Sequence, residues 1–201
     1  MAAILSVLMA GSVTVTIDQA GGLSAAQLQV AVAQMADVWR AAGVEVAAAQ
    51  SDDRPTTGHA AVSLRIVTLR AKSIRGDRPV LAWIGARPGG RTAPVLIVSL
   101  PAVAAMVAEG EYAGRGVKRL PSNLTGWLVA RAIGRVAAHE LGHYLLQQHA
   151  THQRRGLMRP TYSTADLLGD ALDPFRVAPE QRSAAMAEIA ALARSQHVLQ
   201  P

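Results

Sequence analysis

Two histidines and a glutamate interrupt a long apolar helical stretch in His139-Glu140-Leu141-Gly142-His143. That conflict constrains the fold more than any other feature of the chain. The stretch opens at Pro121-Ser122-Asn123, where Ser122 or Asn123 is expected to cap the first turn. Leu124, Leu128, Ala132, Val136 and Leu141, with Trp127 and Ile133 alongside, then form an apolar face that Leu145 and Leu146 prolong. A helix this apolar belongs in a core, where two imidazoles and a carboxylate are costly without partners. Positions i and i+4 lie about 40° apart around a helix and one turn along it. Both rings therefore converge on one metal ion, and Glu140, on an adjacent line of the helix, reaches a water beside it. The rival reading is a helix with partly exposed polar residues at accidental spacing, and the residues that follow argue against it.

A catalytic zinc takes three protein ligands and a water. Two further histidines follow in His149-Ala150-Thr151-His152, and after them Gly156-Leu157-Met158-Arg159-Pro160-Thr161-Tyr162. The spacing of His139, His143 and His149 resembles the metzincin zinc-protease pattern H-E-x-x-H-x-x-G-x-x-H. Gly156-Leu157-Met158-Arg159-Pro160 is similar to the family's Met-turn, a methionine loop beneath the zinc. Leu146 stands where that pattern has its glycine, the residue at which the chain leaves the helix. Without it the helix is expected to run through Leu146, Gln147 and Gln148. An unbroken helix would turn His149 about 280° from His139.

The chain also resembles small bacterial zincin-like proteins that carry H-E-x-G-H-x-L-L, a later histidine, and a Gly-(Ile/Leu)-Met turn followed by a basic residue. Here these are His139 to Leu146, His152, and Gly156-Leu157-Met158-Arg159. Counting back from the turn selects His152 as third ligand; metzincin spacing selects His149. His152 is preferred, His149 is the alternative, and Asp166 or Asp170 come next if neither ring reaches the metal.

The resemblance implies an α/β (α+β) chain forming a single zincin-like domain over residues 13–201. A mixed twisted sheet would pack on the active-site helix, with the Met-turn and a C-terminal helix completing it. It implies a zinc peptidase in which His139, His143 and His152 hold Zn²⁺ and Glu140 acts as general base. Met158 would pack beneath the site, and Tyr162 would contact the oxyanion or substrate. The expected partner is a peptide or protein substrate, and the expected state a monomer.

The remaining sequence fits that plan. Val13-Thr14-Val15-Thr16-Ile17 alternates as a half-buried strand. Ser24-Ala25-Ala26-Gln27 has capping-box spacing and opens a helix carrying Leu28, Val32, Met35 and Trp39 inward. Gly43 closes it before a strand at Val44-Glu45-Val46. Ala61 to Leu69, Val80 to Gly85 and Val95 to Ser99 read as strands, with Arg87-Pro88-Gly89-Gly90-Arg91 as a loop. Thr164 to Leu168 reads as a short helix, Gly169 to Pro174 as a loop, and Pro179 starts a terminal helix with Met186, Ile189, Leu192 and Ala193 on one face.

The absence of cysteine excludes disulfides, cysteine zinc sites and thiol catalysis. With 201 residues and 50% hydrophobic content a single substantial core is expected. Aromatics make up only 3%, so alanine, valine and leucine must fill it. The formal charge of +6 raises the question of nucleic acid. Its cations are scattered singly or in pairs, so a solvated surface with no nucleic-acid partner is expected. Arg154, Arg155 and Arg159, near the proposed metal, would favour acidic substrate segments or a substrate carboxylate.

Residues 1–12 read as a signal segment, a first β-strand or a disordered tail. Ala2 to Met9 is apolar and Ala10-Gly11-Ser12 suits signal-peptidase cleavage, yet no lysine or arginine precedes it. Export to the periplasm or medium is favoured slightly over the cytoplasm, and no segment is long enough to span a bilayer. Two rival functions follow from the same residues. One is a zinc-binding or partner-binding protein of zincin fold without catalysis, which has no need of Glu140. The other is a basic DNA-associated protein with a fortuitous motif.

Overall fold

The computed structural model describes residues 11–49, 60–68, 71–72, 79–86, 92–147 and 152–197. Strand β1 (Gly11–Gln19) leads into α1 (Ala25–Arg40), β2 (Val44–Ala49) and β3 (Ala60–Val67). A two-stranded ribbon, β4 (Ala71–Lys72) with β5 (Pro79–Val80), precedes β6 (Ala82–Ala86), β7 (Thr92–Ser99) and α2 (Leu100–Ala108). A second ribbon, β8 (Glu111–Tyr112) with β9 (Arg115–Gly116), leads through a 3-10 turn at Val117–Arg119 into α3 (Ser122–Leu145). The chain ends with α4 (Thr164–Leu168), a 3-10 turn at Asp173–Phe175 and α5 (Pro179–His197).

The architecture is α/β and the sheet is mixed, in the order β2-β1-β3-β7-β6. The first four strands run parallel: Gly11 pairs with Val44, Val13 with Ala60, and Ser63 with Val95. β6 runs antiparallel to β7, Ala82 opposite Val98 and Ile84 opposite Leu96, and forms one edge. Along β3 the side chains Ala60, Val62, Leu64 and Ile66 are buried while those between them are partly or fully exposed. The period of two places one face of the sheet on the core and turns the other toward solvent.

The buried face is covered by α1 and α3. The capping box expected at Ser24 is formed, with Ser24 Oγ accepting from Gln27 N and Gln27 Oε1 accepting from Ser24 N at 2.9 Å. Trp39 is fully buried, and its indole Nε1 donates to the Ala138 carbonyl at 3.1 Å, tying α1 to α3. The two helices touch closely because position 134 is glycine. A Cβ there would overlap the Ala31 carbonyl oxygen. Every residue of α3 from Leu128 to Leu145 is buried. Leu128, Ile133 and Leu141 alone contribute roughly 1.5–3 kcal/mol each by leaving water.

Several sequence expectations shift. α3 starts at Ser122 itself, with Pro121 in the capping position and no side-chain cap, so neither Ser122 nor Asn123 caps it. The proline fixes an extended entry and lacks a free N–H. The stretch Val80 to Gly85 breaks at Leu81, leaving β5 in the ribbon and β6 in the sheet. β7 begins three residues before Val95, and α2 follows it without a loop. Arg87 to Arg91 lie outside the described residues.

Candidate metal centre

The site is built on the last two turns of α3. The helix does not run on through Gln148: it ends at Leu145 and Gln147 takes φ +50°. Leu146 N donates to the Gly142 carbonyl and Gln147 N to the Tyr144 carbonyl, so a left-handed residue closes the last turn. The Gln147 amide holds this exit in place. Its Oε1 accepts from buried Thr92 Oγ1 at 3.1 Å, and its Nε2 donates to Glu188 Oε1 at 3.2 Å and to the Tyr144 carbonyl at 3.0 Å. A glutamine thus turns the chain out of the helix, one residue after Leu146.

Beyond the exit the chain brings a third imidazole back. The ligand nitrogens of His139, His143 and His152 lie within 4.8 Å of one another. His139 and His143 are buried and His152 is exposed. The His143 ring meets His139 edge-on with centroids 4.7 Å apart, and the His152 ring lies parallel to His139 at 5.5 Å. His149 lies outside the described residues. Asp166 and Asp170 are engaged elsewhere, by Arg159 at 2.6 Å and Arg131 at 2.8 Å.

The turn beneath the rings is fixed by two glycines. Gly156 has φ +77°, and a Cβ there would collide with the Arg176 carbonyl oxygen, which accepts from Leu157 N at 2.9 Å. The next two side chains, Leu157 and Met158, are buried. A Cβ at Gly142 would overlap Met158 Sδ, so the glycine within the motif makes room for Met158 against the helix between the two histidines.

The turn also supplies the partner of His139. Nδ1 lies 2.7 Å from the Leu157 carbonyl oxygen, which can only accept, so Nδ1 carries the proton and Nε2 is left bare. Nε2 of His143 lies 3.1 Å from Nε2 of His139. Two nitrogens on one tetrahedral zinc at about 2.05 Å would be about 3.3 Å apart. A metal held between the two nitrogens would take the place of a proton shared across this gap. Three imidazoles with a bare nitrogen facing two others are a donor set that fits zinc.

Burial lowers the His139 pKa to about 4, and the two other rings add to the effect against the raising influence of the Leu157 carbonyl. Burial also lowers His152. Both rings are therefore neutral at pH 7, the form that binds metal. Burial raises the Glu140 carboxyl to about 8. Tyr162 donates its hydroxyl proton to the Leu157 carbonyl and places its oxygen 3.3 Å from His139 Nδ1. Burial raises its pKa, with Arg159 opposing and Glu140 and Asp166 reinforcing. Of the three arginines noted near the motif, Arg159 is paired with Asp166, while Arg154 and Arg155 are exposed.

The hydrogen bonds of Leu157 had no signal in the sequence, because a backbone carbonyl carries no residue type. No family model and no curated protein matches this chain. Among solved structures it is similar to archaemetzincin from Methanopyrus kandleri, at 13% sequence identity and a TM-score of 0.49, over 89% of this chain and 95% of that one. A likeness so distant assigns no role to any residue here.

Proposed function

We propose that this protein is a zinc-dependent peptidase of zincin type, with His139, His143 and His152 as ligands and Glu140 as general base. The observation that carries the reading is the convergence within 4.8 Å of three imidazole nitrogens, two from α3 and one from the chain beyond its end, beside a buried glutamate that is not needed for a structural site. The motif spacing and the Gly156-Leu157-Met158 turn support it independently. A zinc ion held there would supply Lewis-acid chemistry, acidifying a water, polarising a carbonyl and drawing the Glu140 carboxyl back toward ionisation.

The rest belongs to the chain. Glu140 takes a proton from the attacking water as its oxygen bonds to the scissile carbonyl carbon, and delivers it to the amine as the C–N bond breaks. Met158 supports the helix floor through its contact at Gly142. Exposed Arg154 and Arg155, close in sequence to His152, favour peptides with acidic residues. An oxyanion role for Tyr162 requires its hydroxyl to turn away from the Leu157 carbonyl.

Glu140→Gln keeps the shape and removes the base. The expected result is one zinc per chain, an unchanged fold, and peptide cleavage reduced by roughly 10²-fold or more. Zinc analysis and a peptide assay on the same preparation check it. Hydrolysis at the wild-type rate would remove Glu140 from the reaction, and absence of zinc from the wild type would remove the metal reading.

A further inference from the structure

Tyr162 is held more firmly than its partly exposed position requires. Its ring stacks on buried Phe175 with centroids 4.8 Å apart and planes 22° apart. The Arg159 guanidinium lies over the Tyr162 ring at 4.4 Å and is itself paired with Asp166 Oδ2 at 2.6 Å. Asp166 is fixed in turn by the capping box of α4, accepting from Ser163 N at 2.8 Å and from Ser163 Oγ at 2.5 Å. Beneath Phe175 sits the Arg135 guanidinium, 5.2 Å from the ring centre, whose Nη1 donates to the Asp166 carbonyl at 2.6 Å. Two rings and two guanidiniums thus fix one hydroxyl group.

That hydroxyl points at the hydrogen bond behind His139. A tyrosine has one proton, and here the Leu157 carbonyl receives it. Toward His139 Nδ1, 3.3 Å away, the Tyr162 oxygen can then act only as an acceptor. Nδ1 faces two acceptors, the Leu157 carbonyl at 2.7 Å and the Tyr162 oxygen. A ring protonated on Nε2 would meet both with a bare lone pair, leaving acceptors opposed. We propose that Tyr162 is a positioning residue. With the Leu157 carbonyl it holds the His139 proton on Nδ1, and so keeps Nε2 bare and turned toward His143 and His152. The consequence for metal affinity rests on the proposed zinc site; the consequence for the tautomer does not. Partners of this kind behind a metal-bound imidazole are worth about 10- to 100-fold in affinity.

Two measurements on the full chain test the assignment, zinc titration of the metal-free protein and the ring ¹⁵N signals of His139 at neutral pH. Wild type should show His139 protonated on Nδ1. Tyr162→Phe should bind zinc about 10- to 100-fold more weakly, gain a population protonated on Nε2, and melt within a few degrees of wild type when metal-free. Zinc affinity within twofold of wild type, with unchanged ring signals, would overturn the proposal. So would a loss of turnover alone at unchanged zinc affinity, which would place the hydroxyl on the substrate. If Tyr162→Phe does not fold, the wild-type signals decide: His139 protonated on Nε2 sinks the idea, and Phe175→Leu, which keeps the hydroxyl but removes its stacking, should reproduce the change in smaller degree. A wild type that takes up no zinc would remove the metal site while leaving the tautomer measurement valid.

Discussion

α3 carries two successive pairs of buried ionisable side chains at i, i+4 spacing, Arg131 with Arg135 and His139 with His143. The protein treats them in opposite ways. Arg131 Nη1 donates to the Leu168 carbonyl at 3.0 Å and pairs with Asp170, and its guanidinium lies over Trp127 at 4.8 Å. Arg135 donates to the Asp166 carbonyl and lies over Phe175. Burial and the neighbouring Arg131 lower its pKa only to about 10, so it stays charged at pH 7 and must be answered by carbonyls and rings. An imidazole can lose its charge, and burial removes it from His139. Its backbone partner then occupies one nitrogen and leaves the other facing its neighbours. Burial at helical spacing therefore does not by itself mark a site. What distinguishes the histidine pair is a bare nitrogen facing two other imidazoles.

The largest way to break this comparison is to remove a proposed ligand. His143→Ala should abolish stoichiometric zinc binding and the thermal stabilisation that zinc confers, about 4 kcal/mol at a thousandfold excess over Kd. His152→Ala should do the same and His149→Ala should not. Metal content and melting curves with and without zinc read all three. Retained zinc in His143→Ala would place this pair with the arginines, as structure alone.

The arginine pair should answer differently. Arg135→Ala opens a cavity and strands the Asp166 carbonyl, so a loss of about 2–4 kcal/mol is expected in denaturant unfolding of the metal-free protein. Arg135→Met fills most of the volume and removes Nε and Nη2, which have no hydrogen-bond partner among the described residues. It too strands the Asp166 carbonyl, so a loss of about 1–2 kcal/mol is expected, smaller than for Arg135→Ala. Neither variant should change zinc stoichiometry. Loss of metal in a well-folded Arg135→Met would show that the two pairs are coupled through the Phe175 and Tyr162 stack.

The same contrast explains what the sequence could carry. Elements signalled by side-chain chemistry were legible: Ser24 with Gln27 marked the start of α1, alternation marked β1, and Thr164 to Leu168 forms α4 as expected. The i, i+4 histidines were legible because helical geometry is fixed. α2 was missed although Ser99 caps it and Pro101 sits in its first turn, because Val95 to Ser99 reads as strand and the short apolar stretch after it was not read as a helix. The exit of α3 was placed too late, since glutamine carries no preference for positive φ and Gln147 adopts it through tertiary bonds to Thr92 and Glu188. His152 was preferred on that late exit and on counting back from the turn. The helix in fact ends earlier, and the chain still brings His152 to the other two rings.

The smallest expected effect concerns that exit. A non-glycine residue in the left-handed region costs about 1–2 kcal/mol, which Gln147→Gly would recover. The same change removes the amide's bonds to Tyr144, Thr92 and Glu188, each worth about 0.5–1.5 kcal/mol net, and leaves the buried Thr92 hydroxyl without this acceptor. The second group is the larger, so Gln147→Gly should destabilise by about 1–2 kcal/mol, with zinc stoichiometry unchanged. Urea unfolding resolves such a difference if the slope with denaturant stays constant. A gain of 1 kcal/mol instead would mean that the three bonds contribute nothing, and that backbone geometry alone determines where the chain leaves α3.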